Sequence, residues 1–458
     1  MRHLNEGNIY KNFLLQSIPL VLTGFLGQAY NLIDTMIAGI YLGENGLAAV
    51  GATAGFTSLI HSIFVGWSMA FAVVVGRLFG ASDYEKIKHS FYSFVVIYAA
   101  YILLSCIGLI ALYRPIFSLL NVPAEIWNEA RNYYAIYLIS FLFSLPSHVC
   151  TGCMNAFGES RTPFFFMIVS TVLNIGGNVL TVAILGWGTI GLAISTLFAS
   201  IVVFACNQVK LHLAFKKLGV VTRAKISFKH VKGLASYGVP IMFQQAASSL
   251  GSAVISPLVN SYGTTATAGY SIANQLFNFN AYVYWNSSTV VQYYTSQCLG
   301  AKEYHKIRKG VKVGLLQNYI FTLPFLLITI FAPHLICKLF FKNPDSQGLL
   351  YAVHFARYFM PFAVFSVFDS LFHCLFRSIK AMDKLVISNL IYTGVRILVS
   401  FILAKFYGIY GVFAGYVIGW VIESIYITIV YCSGKWIPKK LRKEYKEACQ
   451  NAKEAANF

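Results

Sequence analysis

Residues 79–90 of the chain read FGASDYEKIKHS, and residues 299–310 read LGAKEYHKIRKG. These stretches share five identical pairs at a spacing of 220 residues, namely Gly80 with Gly300, Ala81 with Ala301, Tyr84 with Tyr304, Lys86 with Lys306 and Ile87 with Ile307. The same spacing aligns WGTIGLA at 187–193 with YGIYGVF at 407–413. Ile18-Pro19 also aligns with Val239-Pro240 within one residue. The sequence therefore predicts two related halves.

The composition places both halves in a membrane. Of the 458 residues, 57% are hydrophobic and only 11% are charged, whereas a soluble domain is about 45 to 50% apolar and about 25% charged. Twelve apolar segments are each long enough for the roughly 20 residues of a spanning helix. We predict spans at 13–40, 48–78, 90–113, 131–156, 163–186, 189–215, 233–260, 267–297, 311–340, 350–378, 384–406 and 409–432. Since the segments lack the alternation of barrel strands, we predict an all-α integral membrane protein.

Basic residues are distributed unevenly along this predicted bundle. Of the 35 Lys and Arg, 28 fall at the N-terminus, in the loops after every second span, and in the C-terminal tail. Cytoplasmic loops carry an excess of Lys and Arg, so we predict cytoplasmic termini in a bacterial-type inner membrane. Contact with anionic lipid head groups accounts for the net charge of +19. We therefore expect no nucleic-acid partner.

The repeat and the spans together predict the domain organisation. We assign an N-lobe to 1–215, a basic cytoplasmic linker to 216–232, a C-lobe to 233–432 and a basic cytoplasmic tail to 433–458. Each lobe has an even number of spans, so both enter the membrane in the same orientation. They would be related by a pseudo-two-fold axis along the membrane normal. This arrangement favours a monomeric transporter that works by alternating access.

The chain resembles the multidrug and toxic compound extrusion (MATE) transporters along nearly its whole length. Pro19 in the first span carries part of the resemblance. The other parts are IDTMIAGIYLGENGLAAVG at 33–51, GRLFGASDYEKI at 76–87, LNIGGNVL at 173–180, LGWGTIGLAISTLFA at 185–199, YGVPIMFQQ at 237–245 and YGIYGVFAG at 407–415. The resemblance implies twelve helices in two six-helix lobes. It also implies export of amphipathic, often cationic compounds in exchange for H+ or Na+.

One difference bears on the branch of the family. The NorM-like branch has a glutamate on its seventh span, where this chain has Ser248. The chain therefore looks more similar to the DinF-like branch.

Three acidic residues fall well inside the predicted spans: Asp34, Asp369 and Glu423. A charged side chain at the centre of a bilayer costs from about 3 to more than about 10 kcal/mol, so each of these acids is a candidate functional residue. Asp34, in YNLIDTMIAGIYLG at 30–43, has no basic residue expected beside it. It must be protonated, bind a cation or lie in a wet cavity. Competition between H+ and another cation for one carboxyl is what an antiporter requires.

The resemblance also implies a cation site in the N-lobe. The matching positions are Asp34, Asn174, Asn178 and Thr196, and the two asparagines share one face of a helix. Asn178 stands where the family pattern has a second aspartate. A single carboxylate weakens Na+ binding more than protonation, so we expect H+ rather than Na+ as the coupling ion, with no other cofactor. The alternative is that Asn174 and Asn178 only hydrogen-bond between helices.

The second half contains its own charged cluster. Arg396 lies near the middle of its span, so we expect it to pair with Asp369 or Glu423. The cluster is either a structural ion pair or part of a substrate cavity. That cavity would also contain Gln244, Gln245, Asn274 and Trp285, with aromatic rings suited to planar cations. We predict a hinge in the first span at Pro19 and Gly24.

Two other classes of function compete with a transporter of this kind. A flippase for lipid-linked saccharides of the same wider superfamily is the alternative. Such a protein is expected to have more charged residues in its cavity to meet a pyrophosphate, whereas Arg396 is the only basic residue that we place at mid-depth. An enzyme needs a nucleophile beside a base, or a cluster of metal ligands, and the sequence indicates neither. We therefore predict a cation-coupled exporter of amphipathic molecules and no enzyme activity.

Overall fold

The computed structural model describes residues 2–120, 122–337 and 347–456, and their regular structure is helical. Twelve long helices, α1 to α12, follow one another, and α13 forms the tail. Their bounds are α1 Ile9–Tyr41, α2 Gly43–Gly80, α3 Tyr84–Ala111, α4 Trp127–Ala156, α5 Arg161–Asn178, α6 Gly188–Lys217, α7 Ala235–Asn260, α8 Thr264–Gly300, α9 Lys306–Phe331, α10 Gln347–Ile379, α11 Met382–Tyr407, α12 Ile409–Cys432 and α13 Arg442–Ala456. Each predicted span falls on one of the first twelve helices, although residues 338–340 of the ninth span lie outside the described residues.

The apolar character of the long helices explains why the sequence predicted an all-α membrane protein. Ten of them, in the part of the chain that the structure describes, are long and apolar enough to cross a membrane. The other two, α7 and α8, have 26 and 37 residues but carry more polar side chains, such as Gln244, Gln245 and Asn274. The protein is an all-α membrane protein.

Both copies of the repeated motif form the same left-handed turn. Ser82 and Lys302 have positive φ angles of 57° and 60°, which few residues other than glycine adopt. Asp83 donates its backbone N–H to Leu78, as Glu303 does to Cys298, at 3.0 and 2.9 Å. Bonds of this kind close the C-terminus of a helix. The structural repeat therefore has the predicted spacing of 220 residues.

The helices divide into two compact units whose boundaries cut through α1 and α7. One unit comprises Leu22–Val239 with the first residues of the chain, and the other comprises Leu4–Val21 with the chain from Pro240 onward. The division differs from the predicted lobes because the first half of α1 packs with the second unit. Within α1, the boundary after Val21 lies between Pro19 and Gly24. The predicted hinge thus falls where α1 passes from one unit to the other.

Hydrogen bonds and ring packing explain where the first half of α1 lies. Leu4 donates its backbone N–H to Oε1 of Gln297 at 2.6 Å, and Asn5 Nδ2 donates to Oε2 of Glu303 at 2.7 Å. The Phe13 ring packs edge-on against Tyr294. Burial acts to raise the pKa of Glu303, but hydrogen bonds from Lys306 and Asn5 outweigh it and lower that pKa below its ordinary value. These bonds stabilise residues 4–21 on the second unit.

The second unit has an aromatic core built from α8, α10 and α12. The Phe277 ring stacks on Trp420 with centroids 5.3 Å apart, and Phe355 and Phe413 pack at 4.9 Å. Aromatic pairs contribute about 0.5 to 1.5 kcal/mol beyond the area they bury. Helices α11 and α12 approach closely beside this core because Gly411 and Gly415 present no side chain.

We expect this close approach to make Gly411 intolerant of any side chain. A Cβ at Gly411 would overlap the backbone of Leu403 and Ala404 on α11, whereas one at Gly394 meets open space. Overpacking a tight contact costs about 1 to 3 kcal/mol, so Gly411→Ala should lower the melting temperature of the detergent-solubilised protein. Gly394→Ala is the matched control and should leave it unchanged or raise it, because alanine favours a helix by about 0.5 to 1 kcal/mol. Equal melting temperatures for the two variants would contradict the packing.

Candidate functional site

The first candidate site lies in the first unit, where α1, α5 and α6 meet. Asp34 is half-buried on α1, while Asn174 and Asn178 on α5 have no exposed surface. Thr196 lies on α6 and is also half-buried. The structure therefore brings together the four residues that the family resemblance assigned to a cation site.

These four side chains form one chain of hydrogen bonds. Asn178 Nδ2 donates to Oδ1 of Asp34 at 2.5 Å and to Oδ1 of Asn174 at 3.1 Å. Asn174 Nδ2 in turn donates to Oγ1 of Thr196 at 3.2 Å. The two asparagines share a helix face, as their spacing of four predicted. The two amides therefore link the carboxyl of Asp34 on α1 to the hydroxyl of Thr196 on α6.

Small residues allow α5 and α6 to approach closely enough for this network. A Cβ at Gly177 would lie 2.9 Å from Oγ of Ser195, and one at Gly191 would lie 2.9 Å from Oγ1 of Thr181. The hydroxyls of Thr181 and Ser195 are 3.0 Å apart. Directly after Asn178 the helix widens into a π-turn at Val179–Ile184, a rare conformation that often occurs at functional sites. Small side chains on both helices thus position Thr196 beside Asn174.

Three tyrosines complete the site, and the sequence did not point to them. The Tyr30 hydroxyl is 3.3 Å from Oγ1 of Thr196. Tyr133 and Tyr137 on α4 stack with ring centroids 5.6 Å apart, and both lie within electrostatic range of Asp34. Tyr30 precedes Asp34 by four residues, so helical spacing could have indicated it. Nothing in the spacing of Tyr133 and Tyr137 indicates a place beside Asp34.

The chemistry of this site follows from its donors and acceptors. Asp34 makes no ion pair with any residue in the described ranges, and its one side-chain hydrogen bond there comes from Asn178. Oδ1 of Asn178 is buried and has no hydrogen-bond partner among the described atoms. Carboxylate, amide and hydroxyl oxygens are ligands suited to hard cations. A proton on Asp34 or a cation beside it would neutralise the carboxyl.

The second candidate site lies in the second unit, around Glu423. Oε1 of Glu423 is 2.9 Å from Nε2 of His373, which is also 3.1 Å from Oγ of Ser388. Asp369 accepts a hydrogen bond of 2.6 Å from Ser424, and its other oxygen has no partner in the described chain. The carboxyls of Asp369 and Glu423 are close enough for their charges to interact. The two acids therefore belong to one buried cluster.

The predicted pairing of Arg396 with Asp369 or Glu423 is wrong. Arg396 instead donates from Nη2 to the hydroxyl of Tyr416 at 2.6 Å, and its guanidinium lies 3.8 Å from the centre of the Tyr416 ring. The imidazole of His373 takes the place beside Glu423 that the prediction gave to a guanidinium. A tyrosine ring face can stabilise a cation, but sequence spacing does not distinguish it from ordinary packing.

The remaining predicted cavity residues do not form a single group. Gln244 accepts a hydrogen bond of 2.7 Å from Nη2 of Arg377 and lies 3.4 Å from His373. Asn274 accepts a bond of 2.8 Å from the Tyr416 hydroxyl, so it belongs with Arg396. Trp285 is 43% exposed, and its ring contacts among the described residues are all with rings of its own helix, α8. Gln245 is half-buried. The second unit therefore contains two polar clusters, one around Glu423 and one around Arg396.

Comparison with known proteins relates the whole chain to a family. The family model MatE matches residues 19–180 and again residues 240–402, so both halves match the same model. The probable multidrug resistance protein YoeA of Bacillus subtilis is 26% identical over 76% of this chain and 77% of its own length. The probable multidrug resistance protein YpnP of the same organism is 22% identical over 95% of this chain and 98% of its own length.

A solved structure has the same fold. The crystal structure of a mutant of the MATE transporter VcmN from Vibrio cholerae superposes with a TM-score of 0.86 at 21% sequence identity. The match covers 95% of this chain and 98% of that one.

We expect His373 and Glu423 to stabilise the second unit as a pair. His373→Leu alone leaves Glu423, which is 3% exposed, without its imidazole partner, at a cost of about 1 to 3 kcal/mol. The double variant His373→Leu/Glu423→Leu removes both groups and should lose less stability than the two single variants together. Thermal unfolding in detergent measures all three.

The exposed pair Lys443 and Glu447, 4.0 Å apart, provides the control for this cycle. Alanine substitutions there should be additive, because exposed pairs contribute at most about 1 kcal/mol. Additive losses at His373 and Glu423 as well would show that the two side chains do not act as a pair.

Proposed function

The chain belongs to the MatE family, and from that premise we propose that it is a cation-coupled exporter of amphipathic small molecules. The observation that carries the proposal is the network around Asp34. It joins an intramembrane carboxyl to polar groups on two other helices, and no basic residue neutralises that carboxyl in the described chain. Such a group is tolerated in hydrocarbon when it is protonated or binds a cation, or when it lies in a wet cavity, and the first two conditions allow one cation to be exchanged for another. A transporter uses that exchange to drive another solute.

The donors around Asp34 favour H+ over Na+ as the coupling ion. Asn178 turns its N–H groups, and not its oxygen, toward Asp34 and Asn174. For an Na+ held directly between Asp34 and Asn178, the amide of Asn178 would have to turn its Oδ1 toward Asp34 and give up both hydrogen bonds. A proton on Oδ2 of Asp34 requires no such rearrangement. One carboxylate also attracts Na+ less strongly than the pair that the family pattern has.

The proposed mechanism is alternating access, driven by the charge of Asp34. A proton that arrives from outside neutralises the carboxyl and weakens the hydrogen bond from Asn178, since a neutral acceptor binds less strongly than a charged one. Helix α1 then repacks near Pro19 and Gly24, and the substrate leaves. Release of the proton to the inside restores the carboxylate. Proton and substrate act by binding the two states of the protein with different affinities.

The proposed orientation follows from the distribution of charge. Both termini would be cytoplasmic in a bacterial-type inner membrane, because the N-terminal segment, the loop from Lys210 to Lys232 and the tail carry the excess of Lys and Arg. Substrates would be amphipathic small molecules taken up from the cytoplasm or the inner leaflet. The protein would act as a monomer, since each chain carries a complete Asp34 network.

We expect Asp34→Asn to abolish coupled export. The variant keeps the size of the side chain but cannot gain or lose a proton. Efflux of a fluorescent amphipathic dye from proteoliposomes, driven by separate H+ and Na+ gradients, measures the effect. The wild type should respond to the H+ gradient and the variant should fall to the level seen without a gradient.

Asp383→Asn is the control for this experiment. Asp383 is an exposed acid at the start of α11, with 65% of its side chain accessible, and its replacement should leave efflux unchanged. If Asp34→Asn retained gradient-driven efflux, the proposed coupling would be wrong.

We expect Asn178→Asp to shift the ion preference toward Na+. A second carboxyl beside Asp34 supplies the negative charge that a bound Na+ needs, and repulsion between the two acids favours an occupied site. The same liposome assay should then show efflux driven by a Na+ gradient. Asn178→Ala, which removes the amide without adding charge, should show no Na+-driven efflux. A wild-type ion preference in Asn178→Asp would argue against a role for Asn178 in ion choice.

A further inference from the structure

Arg396 is a buried cation without a carboxylate partner. It is 4% exposed, lies midway along α11, and makes no ion pair with any acid in residues 2–120, 122–337 and 347–456. Removing one partner of a buried ion pair is costly because an uncompensated charge remains. The positive charge of Arg396 is likewise not compensated by any acid in the described residues.

The tyrosines around Arg396 offset only part of this cost. Its guanidinium lies 3.8 Å from the ring centre of Tyr416 and 5.9 Å from that of Tyr392. The attraction of a desolvated cation to an aromatic face is smaller than the cost of burying an ion. These contacts orient the guanidinium and leave its charge unneutralised.

Several hydrogen-bond donors in this cluster have no acceptor among the described atoms. An arginine has five N–H donors. Those of Arg396 meet three hydroxyls, of Tyr416 at 2.6 Å, of Ser252 at 3.4 Å and of Tyr270. The Nε of Arg396 is buried without a partner. Asn274 uses its oxygen to accept from Tyr416, so its Nδ2 is free to donate. The cluster therefore offers donors and a positive charge, which is the complement of an anion.

Some residues of the same cluster have accessible surface. Tyr416 and Tyr270 are buried, and their hydroxyls are 3.0 Å apart. Ser252 is exposed, and Asn274 and Tyr392 are half-exposed. The surface of this cluster thus includes a serine, an amide and an aromatic residue, while the guanidinium of Arg396 is buried beside them.

We propose that Arg396, with Ser252, Asn274 and Tyr392, binds the carboxylate of a planar aromatic anion. A guanidinium and a carboxylate match as a bidentate pair, and a single arginine suits a monoanion better than a phosphate. The Tyr392 ring offers a face for the aromatic part of the solute. As a substrate site this rests on the proposed function, and it extends the substrates from amphipathic cations to amphipathic anions.

Equilibrium binding to the purified full-length chain in detergent tests the site without any ion gradient. The probes are radiolabelled 1-naphthoate and 1-naphthamide, which share a ring system but differ in charge. The wild type should bind naphthoate about tenfold or more tightly than naphthamide, since a hydrogen bond to a charged group contributes about 1.5 to 3 kcal/mol. Arg396→Gln should remove this preference and leave naphthamide binding unchanged.

Two further variants complete the test. Arg396→Lys keeps a positive charge without the planar guanidinium and should retain a reduced preference, even if Arg396→Gln is too unstable to assay. Arg357→Gln, at an exposed arginine of the same unit, should bind both probes as the wild type does. The proposal is overturned if the wild type does not prefer naphthoate, or if the full preference survives in the Arg396 variants.

The outcome is separable from that of the proposed function. Failure of the Asp34→Asn efflux experiment would not affect binding measured in detergent. A naphthoate preference that depends on Arg396 would therefore support the anion site even if coupling through Asp34 were wrong. Loss of coupling in Asp34→Asn without any naphthoate preference would overturn the anion site alone.

Discussion

Hydrocarbon cannot solvate a charge, and this constraint determines how the interior of both units is built. Four intramembrane charges, those of Asp34, Asp369, Glu423 and Arg396, are met in the described residues by groups other than a permanently charged side chain of opposite sign. Asp34 is met by an amide, Asp369 by a hydroxyl, Glu423 by an imidazole and Arg396 by a phenol. Permanent ion pairs would neutralise these groups for good. Neutral partners leave each one able to respond to a proton, an ion or a solute.

The fold was largely predictable because its signals extend over whole helices. About twenty apolar residues in a row indicate a span whatever their order, and a repeat of 220 residues indicates two halves. The matching left-handed turns at Ser82 and Lys302 confirm that repeat in three dimensions. The packing of residues 4–21 with the second unit was not predictable, because it depends on single contacts such as that from Leu4 to Gln297.

Among the candidate-site residues, those of a type that is rare in the spans could be identified from the sequence, and those of a common type could not. Asp34 is one of few acids in the spans, so the cost of burying it drew attention to it, whereas the family resemblance supplied Asn174 and Asn178 as its neighbours. Tyr30 and Tyr416 are two of 29 tyrosines in an aromatic-rich chain, so nothing distinguishes them from core or interface residues. The error over Arg396 has the same origin. Electrostatic reasoning sought an acid for it, whereas the fold supplied aromatic rings.

The position of the first half of α1 also has a consequence for biosynthesis. Residues 4–21 are made before the rest of the second unit, and their packing partners, such as Gln297 and Gln317, follow almost 300 residues or more later in the chain. Residues 4–21 therefore cannot reach their final packing until well over half of the 458 residues have been made. During that interval an apolar segment with its proline stays in the bilayer without its native neighbours. Folding of the second unit thus has to wait for its later helices, although residues 4–21 are made before them.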